Sequence, residues 1–216
     1  MTFPLYVFDA YGTLFDVHSV VARHRGLVGE QAERLSEIWR AKQLEYTWTR
    51  SLMGAWRDFD ALTEDALDFA AARCGGISAE AREKLLAAYE TLDAFPDVAP
   101  ALRRLRGQGA KCVILSNGRP AALARAVASA GLQDLLDESL SAEPAGLYKT
   151  APEIYALVGA RYGATPDQVS FQSSNRWDVA GAARYGFHAI WINRAGAPDE
   201  YFDLPPERFL STLADL

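Results

Sequence analysis

The chain has 216 residues, half of them hydrophobic, and a formal net charge of -6 at pH 7. That is enough apolar material for one substantial core, or a core with a smaller lobe, and the acidic balance with scattered lysines and arginines argues against a nucleic-acid partner. No apolar run approaches the roughly 20 residues needed to cross a bilayer, and Met1-Thr2-Phe3-Pro4 leads into a strand pattern with no basic leader, so a cytoplasmic protein is expected. Leu5 to Asp9 reads as a buried strand ending in a carboxylate and a glycine turn, Asp9-Ala10-Tyr11-Gly12-Thr13. From about Asp16 to about Leu92 no strand is expected; Gln31 to Arg50, Trp56 to Arg73 and Ala79 to Tyr89 read as helices, and Ala94-Phe95-Pro96-Asp97 as a return hinge. The remainder alternates. Ala99 to Gln108, Pro120 to Ala130, Ala151 to Tyr162 and Val179 to Tyr185 read as helices, and Lys111 to Ser116, Gln168 to Ser173 and His188 to Asn193 as buried strands. Pro152 suits a first helical turn and Gly186 a helix end.

Strands alternating with helices imply a parallel sheet with right-handed crossovers. The expected fold class is therefore α/β: a Rossmann-like parallel sheet flanked by helices, built from residues 1–15 and 95–216, with an inserted helical cap subdomain at 16–94. A lobe of that kind would exclude water and shape specificity. Cys74 and Cys112 lack metal-ligand spacing and are expected to be reduced thiols; His18, His24 and His188 form no motif and read as surface or packing residues.

Chemistry gathers at the strand ends, where open α/β folds place it. Four segments recur there: Asp9 to Thr13, Ser116-Asn117-Gly118, Lys149, and Ser173-Ser174-Asn175-Arg176-Trp177-Asp178. With Trp39-Arg40-Ala41-Lys42-Gln43-Leu44-Glu45-Tyr46 in the expected cap, this order resembles the haloacid dehalogenase superfamily and, more narrowly, the (S)-2-haloacid dehalogenases, across nearly the whole chain.

The resemblance implies a covalent mechanism. Asp9 is the expected nucleophile; Lys149 is expected to pair with Asp9 and Asp178, and Asp178 to activate the hydrolytic water, although an Asp there also suits a helix N-cap. Thr13, Ser173 and Asn175 are expected to hydrogen-bond the Asp9 carboxylate, Ser116 to hold the substrate carboxylate, and Asn117 to donate to the departing halide. Arg40 is expected to receive that halide. Tyr155 is expected to bond within the site or pack behind it, and Tyr11, Leu44, Phe59 and Trp177 to line an apolar pocket. Phosphatases of the superfamily carry an acid two residues after the nucleophile and a magnesium-binding carboxylate four residues before the last Asp; here those positions hold Tyr11 and Ser174. A halide leaves without a proton, so the missing acid costs a dehalogenase nothing, and a haloacid carries only one formal negative charge. Metal-independent chemistry with no cofactor is therefore expected, on a small 2-haloacid, in a homodimer. The alternatives are a small-metabolite phosphatase and a non-catalytic binding protein. Four departures from the family pattern, Ala41, Thr150, Gln172 and Arg176, are expected to bear on specificity: Ala41 by widening the pocket, and Arg176 by adding charge near the site.

Overall fold

The computed structural model describes residues 2–216. Six strands form one parallel sheet: β1 (Leu5–Phe8), β2 (Lys111–Ser116), β3 (Glu138–Ser141), β4 (Val169–Ser173), β5 (His188–Ile192) and β6 (Arg208–Leu210), in the order β3-β2-β1-β4-β5-β6. The order reverses at β1, where Phe8 is paired with both Ile114 and Gln172. A crevice opens beyond the carboxyl ends of the strands at such a reversal, and Asp9 follows β1 directly into it.

Alternation along the strands assigns two apolar faces. Tyr6, Phe8, Cys112 and Ile114 meet α6 (Val98–Gly107) and α7 (Pro120–Ser129). Leu5, Val7, Val113 and Leu115 meet α8 (Pro152–Tyr162) and α9 (Arg176–Tyr185). Between β1 and α6 lie five helices: α1 (Ser19–Arg23), α2 (Arg25–Val28), α3 (Ala32–Met53), α4 (Phe59–Arg73) and α5 (Ala79–Tyr89). Their apolar side chains, among them Leu35, Trp39, Leu62, Leu67 and Leu85, are continuous with the α6–α7 face through Ala10, Tyr11, Leu14 and Phe15. Burial against that shared core stabilises helices that the local sequence alone would leave marginal.

The boundaries show which local signals prevailed. A helix is expected from Trp56, but α4 begins at Phe59 because the Asp58 side chain accepts the Ala61 N–H at 3.0 Å and caps it. A helix is expected from Val179, but α9 begins at Arg176 after Asn175 in extended backbone, so Asp178 lies in the first turn and is not the cap. Edge strands β3 and β6 and the short helices α1 and α2 lie outside the sequence-based expectations. Cys74 and Cys112 are both free. Among the described residues, no helix is long and apolar enough to cross a membrane.

Candidate active site

Three charged side chains meet in the crevice. The Lys149 Nζ lies 3.1 Å from Asp9 Oδ1 and 2.8 Å from Asp178 Oδ2, with Asp9 at 5 %, Lys149 at 1 % and Asp178 at 0 % exposure. Each partner arrives from a different element: Asp9 from the end of β1, Lys149 from the loop before α8, Asp178 from the first turn of α9. Lys149 is positioned through its backbone, because its N–H donates to Asn117 Oδ1 at 2.9 Å. That bond holds the Asn117 amide at the end of β2. The Lys149–Thr150 peptide bond is cis.

Burial governs the ionisation of this group. It pushes the Asp178 carboxyl up to about 6, with the Asp9 charge adding to the rise and Lys149 opposing it. Burial by itself would lower the Lys149 ammonium, but the charges of Asp178 and Asp9 outweigh it and hold its pKa above the usual lysine range. The second partner of the Asp178 carboxylate is the Tyr155 hydroxyl, which donates to Oδ1 at 2.8 Å. Burial, and then the Asp178 charge, hold the Tyr155 phenol well above its ordinary value, so it stays a donor. This contact needs α8 and α9 to approach closely. Gly181 permits it: a Cβ there would lie 2.5 Å from the Tyr155 hydroxyl oxygen and 2.9 Å from Thr150 Cγ2.

The two oxygens of Asp9 have unequal surroundings. Oδ2 accepts from Asn175 Nδ2 at 2.8 Å, Thr13 Oγ1 at 3.0 Å and, at longer range, Ser173 Oγ at 3.4 Å. Oδ1 accepts only from Lys149. The donors are themselves held: the Ser174 N–H donates to Thr13 Oγ1 and the Asn175 N–H to Ser173 Oγ. Asn175 begins α9, yet its side chain makes no capping bond because it is committed to Asp9. At the end of β2, the buried Ser116 Oγ accepts the Gly118 N–H at 3.1 Å, leaving its own proton to donate. Gly118 has no room for a side chain, since a Cβ would lie 2.7 Å from the Tyr11 ring.

The helical segment brings a fourth charge. Arg40, on α3, donates from Nη2 to the Tyr11 carbonyl at 3.2 Å, the same oxygen that accepts from Asn175. Its Nη1 donates to Gln43 Oε1 at 2.7 Å. Gln43 also accepts from the Tyr89 hydroxyl at 3.1 Å and donates to Thr63 Oγ1 at 2.7 Å. Gln43, Tyr89 and Thr63 were not anticipated as functional residues. The available signal was the Arg40–Gln43 spacing of three, which puts both on one helix face. With Asp9, Asp178, Lys149 and Arg40 all ionised, the four formal charges sum to zero.

Tyr11 and Phe59 stack at 5.5 Å between ring centroids, and Tyr89 stacks on the other side of Tyr11 at 5.7 Å. They line a cavity of about 400 Å³ whose rim carries Arg119 and Asp60, paired at 3.0 Å. Trp177 is half-buried, edge-on to Trp48 at 5.3 Å, beside an open cavity of about 930 Å³ that reaches Lys149. Leu44 lies between Arg40 and Trp48 at intervals of four, on the helix face they share. Two departures do not act as expected. Ala41 is exposed, turned about 100° around α3 from Arg40, so it does not widen the pocket. Arg176 is buried away from the site: its Nε donates to Asp199 Oδ1 at 2.6 Å and its Nη2 to the carbonyls of Tyr201 and Leu204, fastening the 199–204 loop. Gln172 is buried in β4 and donates to Ser170 Oγ.

Comparison with known proteins gives concordant results. The profile of the haloacid dehalogenase-like hydrolases matches residues 3–186. The (S)-2-haloacid dehalogenase 4A of Burkholderia cepacia is 44 % identical over 211 residues, 97 % of this chain and 91 % of that protein. A solved dehalogenase with intermediate complex is 42 % identical with a TM-score of 0.96, over 99 % of this chain and 95 % of that one. The L-2-haloacid dehalogenase from Xanthobacter autotrophicus, solved with chloropropionic acid covalently bound, is 34 % identical with a TM-score of 0.89, over 99 % of this chain and 96 % of that one.

Proposed function

Because the chain belongs to the haloacid dehalogenase-like hydrolases and, within them, to the (S)-2-haloacid dehalogenase family, we propose that it hydrolyses short (S)-2-haloalkanoic acids to (R)-2-hydroxy acids without a metal ion. The observation that carries this reading is the asymmetry of Asp9. Oδ2 sits in a nest of three donors, while Oδ1 meets only the Lys149 ammonium. Oδ1 is then the attacking atom. It forms a bond to the α-carbon from the face opposite the halogen as the carbon–halogen bond breaks, and the halide departs toward Arg40 and the Asn117 amide. The product of this step is an ester of Asp9.

In the second step water adds to Cγ of Asp9, passing its proton to Asp178. Negative charge develops on Oδ2, where Thr13, Asn175 and Ser173 already point their hydrogens; donors fixed in advance are most effective in a dry site. Collapse expels the hydroxy acid oxygen, which recovers the proton from Asp178. The carbon centre is displaced once and therefore inverts. Ser116, with a free hydroxyl proton and neighbouring backbone N–H groups at the start of α7, is assigned to the substrate carboxylate.

Metal independence is supported by what lies between the carboxylates. The Lys149 Nζ occupies the space between Asp9 and Asp178 that a bridging cation would need. A phosphatase reading is disfavoured because Tyr11, where a leaving-group acid would stand, is buried among rings, and burial raises its phenol further from use. The segment 16–94 is proposed to act as a cap over this site. Leu52 and Met53, 88 % and 67 % exposed at the end of α3, support a homodimer through that helix; a sedimentation velocity profile of a monomer would reject it.

Turnover in oxygen-18 water tests the chemistry. Mass spectrometry after a single turnover is expected to find the label in the Asp9 peptide, chloride release from (S)-2-chloropropionate to exceed release from the R form, and EDTA to leave the rate unchanged. An unlabelled Asp9, or phosphate release from a phosphomonoester in place of halide release, would reject the reading.

A further inference from the structure

Arg40 stands between two spaces. On one side it shares the Tyr11 carbonyl with Asn175, the residue that donates to Asp9. On the other it lines a void of about 10 Å³ together with Gln43, Tyr89, His18 and Ser36. That void has room for about one water. Beyond it, a surface cavity of about 350 Å³ is walled by the same His18 and Ser36, with Arg25, Glu33 and Glu37 around its mouth. His18 and Ser36 line both spaces, and the two are joined by a hydrogen bond between His18 Nδ1 and Ser36 Oγ at 2.8 Å. Ser36 is buried and His18 is exposed. The His18 backbone is anchored through its N–H to Asp16 Oδ1 at 2.9 Å, so the ring can turn while the chain stays in place.

We propose that His18 and Ser36 form the gate of an exit path through which halide passes from Arg40 to solvent. The proposal rests on the reading above, in which the first step leaves a halide beside Arg40 and the acyl group on Asp9. The ester then occupies the side from which the substrate arrived, between Asp9 and the rings of Tyr11 and Phe59. A halide that retreated by that side would have to pass the ester. The far side of the guanidinium is already hollow, and the His18–Ser36 hydrogen bond stands between that hollow and the surface cavity, an interaction of small net worth where it meets water. A halide is larger than the one-water void, so passage requires the His18 ring to swing away from Ser36. At the mouth Arg25 pairs with Glu33 at 3.3 Å, and Glu37 adds a negative charge that does not retain an anion.

The test separates gate from affinity, since a gate changes the rate of exchange and leaves the equilibrium to Arg40. Excess line broadening in ³⁵Cl NMR reports chloride exchange with the protein and requires no turnover; the Arg40→Ala protein supplies the blank. His18→Ala is expected to raise the exchange rate, and Ser36→Leu to lower it, each by about threefold or more, with chloride affinity unchanged, since gating of this kind limits passage and not binding. In rapid-quench experiments Ser36→Leu is expected to slow steady-state turnover with the rate of ester formation unchanged. Equal exchange rates in wild type and His18→Ala overturn the proposal, as does wild-type broadening no greater than the blank; should Ser36→Leu fail to fold, His18→Ala decides alone. A change confined to ester hydrolysis assigns the path to water and also overturns it. If halide is never released from a haloacid, the function assigned above fails, which is a distinct result.

Discussion

The charged group at the strand ends and the arginine cluster of the helical segment are held in different ways. Asp9, Lys149 and Asp178 are fixed by backbone: a strand end, a loop and a helix turn converge, and the side chains need only reach across. Arg40 is fixed by other side chains, through Gln43, Tyr89 and Thr63, on helices whose packing sets their distance from the sheet. A site built from strand ends tolerates little rearrangement of its charges but persists as long as the sheet does. A site built from a side-chain relay can be retuned, and its position depends on how the helices sit.

The largest effect should come from breaking the first of these. Asp9→Asn is expected to lower kcat on the order of 10⁴-fold or more, the scale found when a covalent nucleophile is removed, with no stoichiometric halide burst in rapid quench. Lys149→Met should follow. It leaves two buried carboxylates facing each other without a counter-charge, a change costing about 3–5 kcal/mol. The sign with pH is definite. Without the ammonium the Asp178 carboxyl moves further up, the folded protein gains affinity for a proton, and stability returns as pH falls. Thermal melts should therefore show the gap between variant and wild type narrowing from pH 8 to pH 5; a gap that widens toward acid would contradict the charge assignment.

Asp9 was legible because it ends the apolar run Leu5–Phe8, which could only be a buried strand; Lys149, in a loop before α8, and Asp178, in a first helical turn, were legible only through the motifs that carry the family resemblance. β3 and β6 were not legible: Glu138-Ser139-Leu140-Ser141 and Arg208-Phe209-Leu210 are short, half-polar edge strands whose pairing partner supplies the order their composition lacks. The relay behind Arg40 was equally hidden. Gln43, Thr63 and Tyr89 come from three helices, and a polar residue on a helix reads as solvated until packing buries it. Arg176 misled for the converse reason: its neighbour in sequence is at the site, but its own side chain turns to the 199–204 loop.

The relay gives smaller, graded effects. Arg40→Lys is expected to reduce kcat/KM by about 10- to 100-fold, because an ammonium cannot hold Gln43 and the Tyr11 carbonyl in one plane; Gln43→Leu should cost about tenfold through misplacement of Arg40, seen in kcat more than KM. The smallest change is a shift of profile. With Asp178 accepting the proton of water, kcat should fall as pH drops through about 6. Tyr155→Phe removes a hydrogen bond that lowers the Asp178 pKa, so the acid limb should move to higher pH while the alkaline side is little changed. A limb that stays in place would detach Asp178 from the hydrolytic step.

The bare α-carbon at position 181 has a further consequence. With the Tyr155 hydroxyl and Thr150 crowding that spot, α8 and α9 are matched surfaces that cannot be exchanged one at a time. Chimeras that splice segments from homologous genes should keep residues 150–155 and 178–181 in the same parental block. A crossover placed between the two would pair a phenol with a methyl group and push the Asp178 carboxylate out of line before any pocket residue had been altered.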